Sequence, residues 1–268
     1  MTTIAVAGAG AIGAAVCRAL IDGIEGFSLT AASSLDPDDS RARIARPEFS
    51  LPFVDLQEIP SCADWIVEAL PLAEVPKLTE QVMKNGKTLV MISSAALLLY
   101  PELKNMAGKR GGKILVPSGA LAGLDGIAAL AETGIKSVRL VSTKPPKAFA
   151  GAPYIAAQNI DLAKIEEVTT IFSGNALQAA AAFPANVNVA ATLSLASHLP
   201  PEELKVTVKA DPALTVNRHE VMVESLYSTL HFTIENRPDP VNPKSSALAA
   251  LSIIAALKRQ SACFQVGS

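Results

Sequence analysis

Ile4-Ala5-Val6-Ala7-Gly8-Ala9-Gly10-Ala11-Ile12-Gly13, close to the start of the chain, is a short apolar run that ends in Gly-x-Gly-x-x-Gly. Ile4 to Ala7 read as a strand buried on both faces. From Ala11 onward, Ala14, Ala15, Val16, Ala19 and Leu20 read as a helix that meets no breaker until Gly23. The glycines therefore fall at a strand-to-helix turn, the context a dinucleotide fingerprint requires. Gly8 permits the tight turn, Gly10 lets backbone approach a pyrophosphate, and Gly13 allows close helix-to-strand packing. The first-turn N–H groups at Ala11, Ile12 and Gly13, with the positive end of the helix dipole, then face the phosphates. Glycine-rich turns also serve plain packing, but the helix that follows favours a cofactor site.

Working outward, Phe27 to Ser33 reads as a second strand, and the group that reads the adenosine ribose belongs at its end, about 20 residues past the fingerprint. Ser33 and Ser34 stand there, with Arg41 and Arg43 a few residues downstream. An acidic side chain there bonds a ribose 2′-hydroxyl and repels a 2′-phosphate; serine does neither. The expectation is that NADP is accepted at least as well as NAD. Asp36 substitutes if the turn is long, and Arg41 and Arg43 also read as solvated loop charges.

Asp64 to Ala69 (strand), Leu72 to Lys84 (helix), Thr88 to Ser93 (strand), Pro101 to Lys109 (helix) and Lys113 to Val116 (strand) continue an alternation that predicts a doubly wound parallel sheet. Its ligand lies beyond the carboxyl ends of the strands, which places Leu70-Pro71 and Ser93-Ser94-Ala95 near the cofactor or makes them ordinary turns. After Val116 the pattern changes. Pro117 to Gly126 is rich in small residues. Val138 to Thr143, Thr169 to Ser173, Lys205 to Ala210, His219 to Glu224 and Thr229 to Glu235 then read as strands, with helices between Asn175 and Ala196. Asn175 is the expected N-cap. This predicts an α+β second domain with a mostly antiparallel sheet. A final helix over about 245–258 returns to the first domain. The expected division is 1–121 with 244–268 as the dinucleotide-binding domain and 122–243 as the substrate-binding and dimerisation domain.

Composition sets limits on function. Half of the 268 residues are hydrophobic, ample for two cores. The formal charge of -2 and pI near 6.0 give no general attraction to nucleic acid or an anionic membrane. Cys17, Cys62 and Cys263 lack C-x-x-C spacing, which argues against a disulfide framework and a zinc site; Cys17 reads as a core residue of the first helix. No basic region precedes the first strand and Ala247 to Leu257 is too short to span a bilayer, so a cytoplasmic location is expected.

Three histidines offer proton chemistry. His198, beside Leu199-Pro200-Pro201, reads as a surface residue, and His231, alternating with Leu230 and Phe232, as a half-exposed strand residue. His219 follows Asp211-Pro212 and Asn217-Arg218 at the entry to a strand, where a side chain can be aimed firmly, and imidazole titrates near the working pH of a general acid or base. Glu220, its neighbour, points the other way in an extended segment.

Together with the fingerprint, Pro117-Ser118-Gly119-Ala120-Leu121-Ala122-Gly123-Leu124-Asp125, Phe183-Pro184-Ala185-Asn186-Val187-Asn188-Val189-Ala190-Ala191-Thr192-Leu193-Ser194, Ala210-Asp211-Pro212, Asn217-Arg218-His219-Glu220 and Asn242-Pro243-Lys244 resemble the L-aspartate dehydrogenases over nearly the whole chain. The resemblance implies a homodimeric, NAD- or NADP-dependent enzyme that oxidises L-aspartate to iminoaspartate, which yields oxaloacetate and ammonia or feeds NAD biosynthesis. His219 takes the family's catalytic histidine position; Ala122 and Asn188 take positions that contact the cofactor. Two departures stand out: the family often has an acidic residue where Ser34 stands, and Ser225-Leu226-Tyr227 replaces a glycine-containing turn.

The chemistry that fits is hydride transfer from the substrate Cα to a nicotinamide, with His219 as proton shuttle when water adds to the imine. Asn188 fixes the nicotinamide carboxamide or a substrate carboxylate, or bonds the helix start with Asn186. A dicarboxylate needs cationic partners, for which Lys144, before Pro145-Pro146, and Lys244, after Asn242-Pro243, are the candidates, each also readable as a surface charge. No metal is required. Two rival readings remain: another NAD(P)-dependent oxidoreductase acting on a small dicarboxylate imine or semialdehyde, and a non-catalytic NAD(P)-binding sensor.

Overall fold

The computed structural model describes residues 1–183, 187–237 and 246–267. It divides into two compact units, Met1–Gly119 with Leu248–Val266, and a second built on Ala120–Ala247. In the first unit, β1 (Thr2–Ala7), α1 (Ala11–Gly23), β2 (Phe27–Ser33), α2 (Pro37–Ile44), α3 (Ile59–Cys62), β3 (Trp65–Glu68), α4 (Val75–Lys84), β4 (Thr88–Met91), α5 (Ala96–Leu99) and β5 (Lys113–Leu115) follow in order. The five strands are parallel in the order β2-β1-β3-β4-β5, the expected doubly wound sheet. Ile4, Ala5, Val6 and Ala7 are fully buried, because a parallel strand is covered on both faces. The C-terminal helix Ala247–Ser261 adds Ile253 and Leu257 to the core that holds Ile4, Val6, Val16 and Leu20, and Ser252 Oγ accepts the Gly119 N–H at 3.0 Å. Because β2 and β3 lie on opposite sides of β1, the loops after β1 and β3 diverge and open a crevice at that switch point.

Local differences from the sequence reading have local causes. Residues 72–84 begin with a 3-10 turn (Leu72–Glu74) before α4, and Pro101–Met106 is 3-10 throughout, where Leu103 alone is buried and no 3.6-residue apolar stripe favours an α-helix. The segment read as a loop around Arg41 and Arg43 is α2. It buries only Ser40 and Ile44, so periodicity is silent there, but its start is marked: Asp36 Oδ1 accepts the Asp39 N–H at 3.0 Å and Pro37 opens the first turn.

The second unit contains α6 (Leu124–Ala131), β6 (Ile135–Lys144), α7 (Pro153–Ala157), β7 (Thr169–Asn175), α8 (Ala176–Ala182), α9 (Asn188–Ser197), β8 (Lys205–Ala210), β9 (Asn217–Ser225) and β10 (Thr229–Asn236). Its sheet runs β10-β9-β6-β8-β7 and is antiparallel except where β6 and β8 pair, as the sequence predicts. Asn175 caps α8 in a reciprocal box with Gln178. Phe149, Tyr154, Phe172 and Phe183 pack mostly edge to face, with centroids 5.4 to 5.8 Å apart.

Candidate functional site

In the first unit the fingerprint turn does what its glycines require. Gly8 sits at φ +90°, and a methyl group there would lie 2.5 Å from the Ala69 carbonyl oxygen; one on Gly13 would lie 2.0 Å from the Gly8 oxygen. Gly10 differs: its φ is -72°, and an added methyl would meet nothing within 4 Å. Packing therefore explains Gly8 and Gly13 but not Gly10, whose open side leaves room for a ligand to approach the backbone. Helix α1 has no acidic residue in its first turn, which leaves the N–H groups around half-buried Ala11 and Ile12 for an anion. The turn opens on a cleft of about 990 Å³ lined by Gly8, Gly10, Ser33, Ser34, Leu70 and Pro71 among others, ample for a dinucleotide half. The residues present thus fit a pyridine dinucleotide.

Polar contacts behind the lining hold this cleft. Gly8 N–H donates to Ser33 Oγ (3.2 Å) and Ala9 N–H to the Ser33 carbonyl (2.8 Å). Ser34 Oγ accepts from Asp36 N–H (3.1 Å) and shares a bond with Ser40 Oγ (2.7 Å); Ser40 Oγ donates to the Ala9 carbonyl (2.8 Å). Ser40, absent from the sequence expectation, thereby ties the turn after β2 to the fingerprint. Ser93 and Ser94, which the sequence places near the cofactor or in an ordinary turn, are buried, and Ser93 binds a group the sequence did not mark, the fully buried Glu68. Glu68 Oε1 accepts from Leu70 N–H (2.7 Å) and Ser93 Oγ (2.9 Å), and Oε2 from Ser93 N–H (3.0 Å). Burial pushes the Glu68 carboxyl above its usual range although these donors pull it down. A lone acid at a strand end carries no periodic signal, so nothing in the sequence marked it.

In the second unit the interior face of the sheet changes character along its length. Alternation puts Val138, Leu140, Ser142 and Lys144 of β6 on one buried face, flanked by Val206, Val208 and Ala210 of β8 and by Asn217, His219, Val221 and Val223 of β9. The end at Val138 and Val223 is apolar, and the end at Lys144 and Asn217 is polar. Ser142 stands directly opposite His219, and Ser142 Oγ lies 2.8 Å from His219 Nδ1. Glu220 is on the other face, as expected.

Burial dominates the electrostatics here. Lys144 is 6% exposed and His219 3% exposed. Burial lowers the Lys144 ammonium to about 8. Burial first, and the Lys144 charge second, lower the His219 imidazole to about 3, so the ring is neutral at neutral pH. The small cavity bordered by Ser142, Lys144 and Phe149, about 20 Å³, holds no more than one water and is not itself large enough for a substrate. Ala122 is exposed just before Gly123, whose φ of +71° starts α6, and the segment is pinned by Asn236 Nδ2 donating to the Ala120 carbonyl at 2.9 Å. Asn188 is exposed at the first residue of α9. Lys244 lies outside the described residues. In the first unit Gly8, Gly10 and Ser34 line one cleft, with Ala11, Ile12 and Gly13 following in the first turn of α1, and the second unit brings His219 and Lys144 onto one buried face. His198 and His231 are exposed, and among the described residues no group of three His, Cys, Asp or Glu is arranged to hold a metal ion. None of the described helices is long and apolar enough to cross a membrane.

Known proteins carry both halves. The model of the aspartate dehydrogenase C-terminal family matches residues 125–260, and that of the homoserine dehydrogenase NAD-binding domain matches residues 8–117. The chain is 44% identical to L-aspartate dehydrogenase 3 of Bordetella bronchiseptica over 99% of its length and 97% of the relative's. It is 38% identical to the L-aspartate dehydrogenase of Methanosarcina barkeri over the whole of both chains. Aspartate dehydrogenase from Thermotoga maritima superposes with a TM-score of 0.75 at 26% identity, covering both chains fully. With its fingerprint cleft, its polar sheet end and these full-length matches, the chain belongs to the L-aspartate dehydrogenase family.

Proposed function

We propose that this protein oxidises L-aspartate with NAD or NADP, giving iminoaspartate that hydrolyses to oxaloacetate and ammonia, or runs the same chemistry in reverse. The carrying observation is the pairing of a buried neutral imidazole with a buried ammonium on one sheet face, in a chain whose other unit has a dinucleotide turn. When bound, the nicotinamide cofactor supplies the acceptor for the hydride leaving the substrate Cα. The chain supplies the rest. Lys144, desolvated by its surroundings, attracts a substrate carboxylate, and that contact strengthens its hold on its own proton.

His219 works as the base. With Nδ1–H donating to Ser142 Oγ, Nε2 keeps a bare lone pair that takes a proton from the substrate ammonium, or from the water that adds to the imine. The arriving dicarboxylate opposes the effect of Lys144 and raises the imidazole toward the range in which it can hold that proton. The backbone at Gly10 and the first turn of α1 hold the pyrophosphate. Ala122 and Asn188 are assigned to cofactor contact on the family resemblance. Homodimer formation and a cytoplasmic location belong to this reading, the former supported by the same resemblance and tested by sedimentation.

The test is turnover of an amino-acid panel followed through reduced-nicotinamide absorbance, with oxaloacetate plus ammonia for the reverse. L-Aspartate is the expected substrate, and no turnover of it in either direction overturns the proposal. His219→Ala and His219→Asn are expected to abolish most turnover while leaving separately measured cofactor affinity intact. Activity within a few-fold of the parent removes His219 from the mechanism.

A further inference from the structure

We propose that the cleft of the first unit selects NAD over NADP, and that Asp36 is the residue that reads the adenosine ribose. The inference rests on the cofactor role assigned above and replaces the expectation drawn from Ser33 and Ser34 with Arg41 and Arg43 downstream. The 2′-phosphate of NADP needs cations or free N–H groups near the end of β2. The structure offers carboxylates there instead. Asp36 and Asp39 line the cleft at that end, and Asp55, Glu58 and Glu74 line it further on, against Lys77 as the one cation among the described lining residues.

The two arginines that suggested a phosphate site are engaged on α2. Arg41 lies over the Phe53 ring, 4.6 Å from its centroid, and 3.7 Å from Asp38 Oδ1; Arg43 Nε is 2.5 Å from Asp39 Oδ2. Neither arginine lines the cleft. The N-terminus of α2, a natural anion site, is already occupied: Asp36 Oδ1 accepts the Asp39 N–H, and Asp38 and Asp39 fill the first turn. Three carboxylates thus stand where a 2′-phosphate would need donors. Ser34 is committed as well, since its hydroxyl serves the Asp36 N–H and Ser40, which holds Asp36 in its turn. Arg43 compensates Asp39, so Asp36 is the carboxylate left to act on the ligand, and its Oδ2 accepts from the ribose 2′-hydroxyl of NAD. The acid stands three residues beyond the strand end at Ser33 and stays in the cleft because Ser34 and the cap of α2 fix the turn.

Equilibrium titration of the full-length protein with NADH and with NADPH, followed by nucleotide fluorescence, tests this without turnover. NADH is expected to bind about tenfold or more tightly, the scale of one charge-assisted hydrogen bond. Raising the salt concentration is expected to narrow that gap, because screening weakens repulsion of the 2′-phosphate. Asp36→Asn keeps the helix cap but removes the charge, and is expected to shrink the NADH-to-NADPH preference at least about fivefold with the thermal midpoint unchanged. Equal or tighter NADPH binding by the parent, or an unchanged preference in Asp36→Asn, overturns the inference. Binding of neither nucleotide overturns it together with the cofactor cleft, whereas NADH binding without aspartate turnover overturns only the proposed reaction.

Discussion

Acidifying the protein from about pH 8 to about pH 5 tests whether His219 is held neutral by its surroundings. In an unfolded chain an imidazole takes up its proton near 6.5, but the folded site resists to about 3. A folded value depressed in this way contributes stability that is present above 6.5 and is lost as pH falls toward 3. At about pH 5 the unfolded state has bound the proton and the folded state has not. The gap of about 1.5 pH units, at about 1.36 kcal/mol each, removes ~2 kcal/mol of stability.

Two other buried groups must be separated from this effect. Lys144, lowered from 10.5 to about 8, loses its contribution between those values and is constant below them. Glu68 is raised above 4.5, so its contribution is present below 4.5 and declines as pH rises, opposite in sign to that of His219. The raw curve sums these, and only a difference isolates the histidine. Urea unfolding of the parent and of His219→Gln, at both pH values, gives that difference whatever the substitution itself costs. The stability gap between the two proteins is expected to shift by ~2 kcal/mol in favour of the variant on acidification. A shift below ~0.5 kcal/mol would mean that the folded imidazole titrates normally, and the neutral-base argument would fall with it.

Other perturbations probe the remaining parts. Gly10→Ala should leave the urea midpoint essentially unchanged yet weaken NADH binding at least about tenfold, because its methyl meets no protein atom within 4 Å and enters only the space proposed for the pyrophosphate; Gly13→Ala should destabilise the fold itself by clashing with the Gly8 oxygen 2.0 Å away. Lys144→Met should raise the KM for L-aspartate much more than it lowers kcat and, by deleting the second cause of its shift, move the His219 titration upward as followed by NMR of the ring. Glu68→Gln keeps one oxygen but turns an amide NH₂ either toward the Ser93 N–H or toward the Leu70 N–H and Ser93 Oγ, so a loss of about 1–3 kcal/mol in urea unfolding is expected, with weaker nucleotide binding because Leu70 lines the cleft. A Glu68→Gln protein as stable as the parent would show that the buried acid holds no loop in place.

Local rules carried much of the fold. Apolar runs, breakers and the glycine spacing were enough to place the first strand, the turn and α1, and the strands Phe27–Ser33 and Lys205–Ala210 begin and end where the residue pattern predicts. Those features depend on residues a few positions apart, so periodicity reports them. Helix α2 escaped because its partners, rather than an apolar stripe of its own, keep it in place; only the Asp36-Pro37 start signal was there to read. The chemistry of the second unit lay further from view. Lys144, followed by two prolines, reads equally well as a surface charge, and its burial comes from the fold around it, with Phe149, Phe183, Val187 and Ala190 bordering the same small cavity. The bond between Ser142 and His219 spans 77 positions of sequence and exists because the β6–β9 register sets them opposite. A one-residue slip of β9 would turn His219 to the face opposite Ser142. Residue types and their local spacing are written in the chain, whereas register, burial and the resulting shift of an imidazole to about 3 arise only when distant strands desolvate one another.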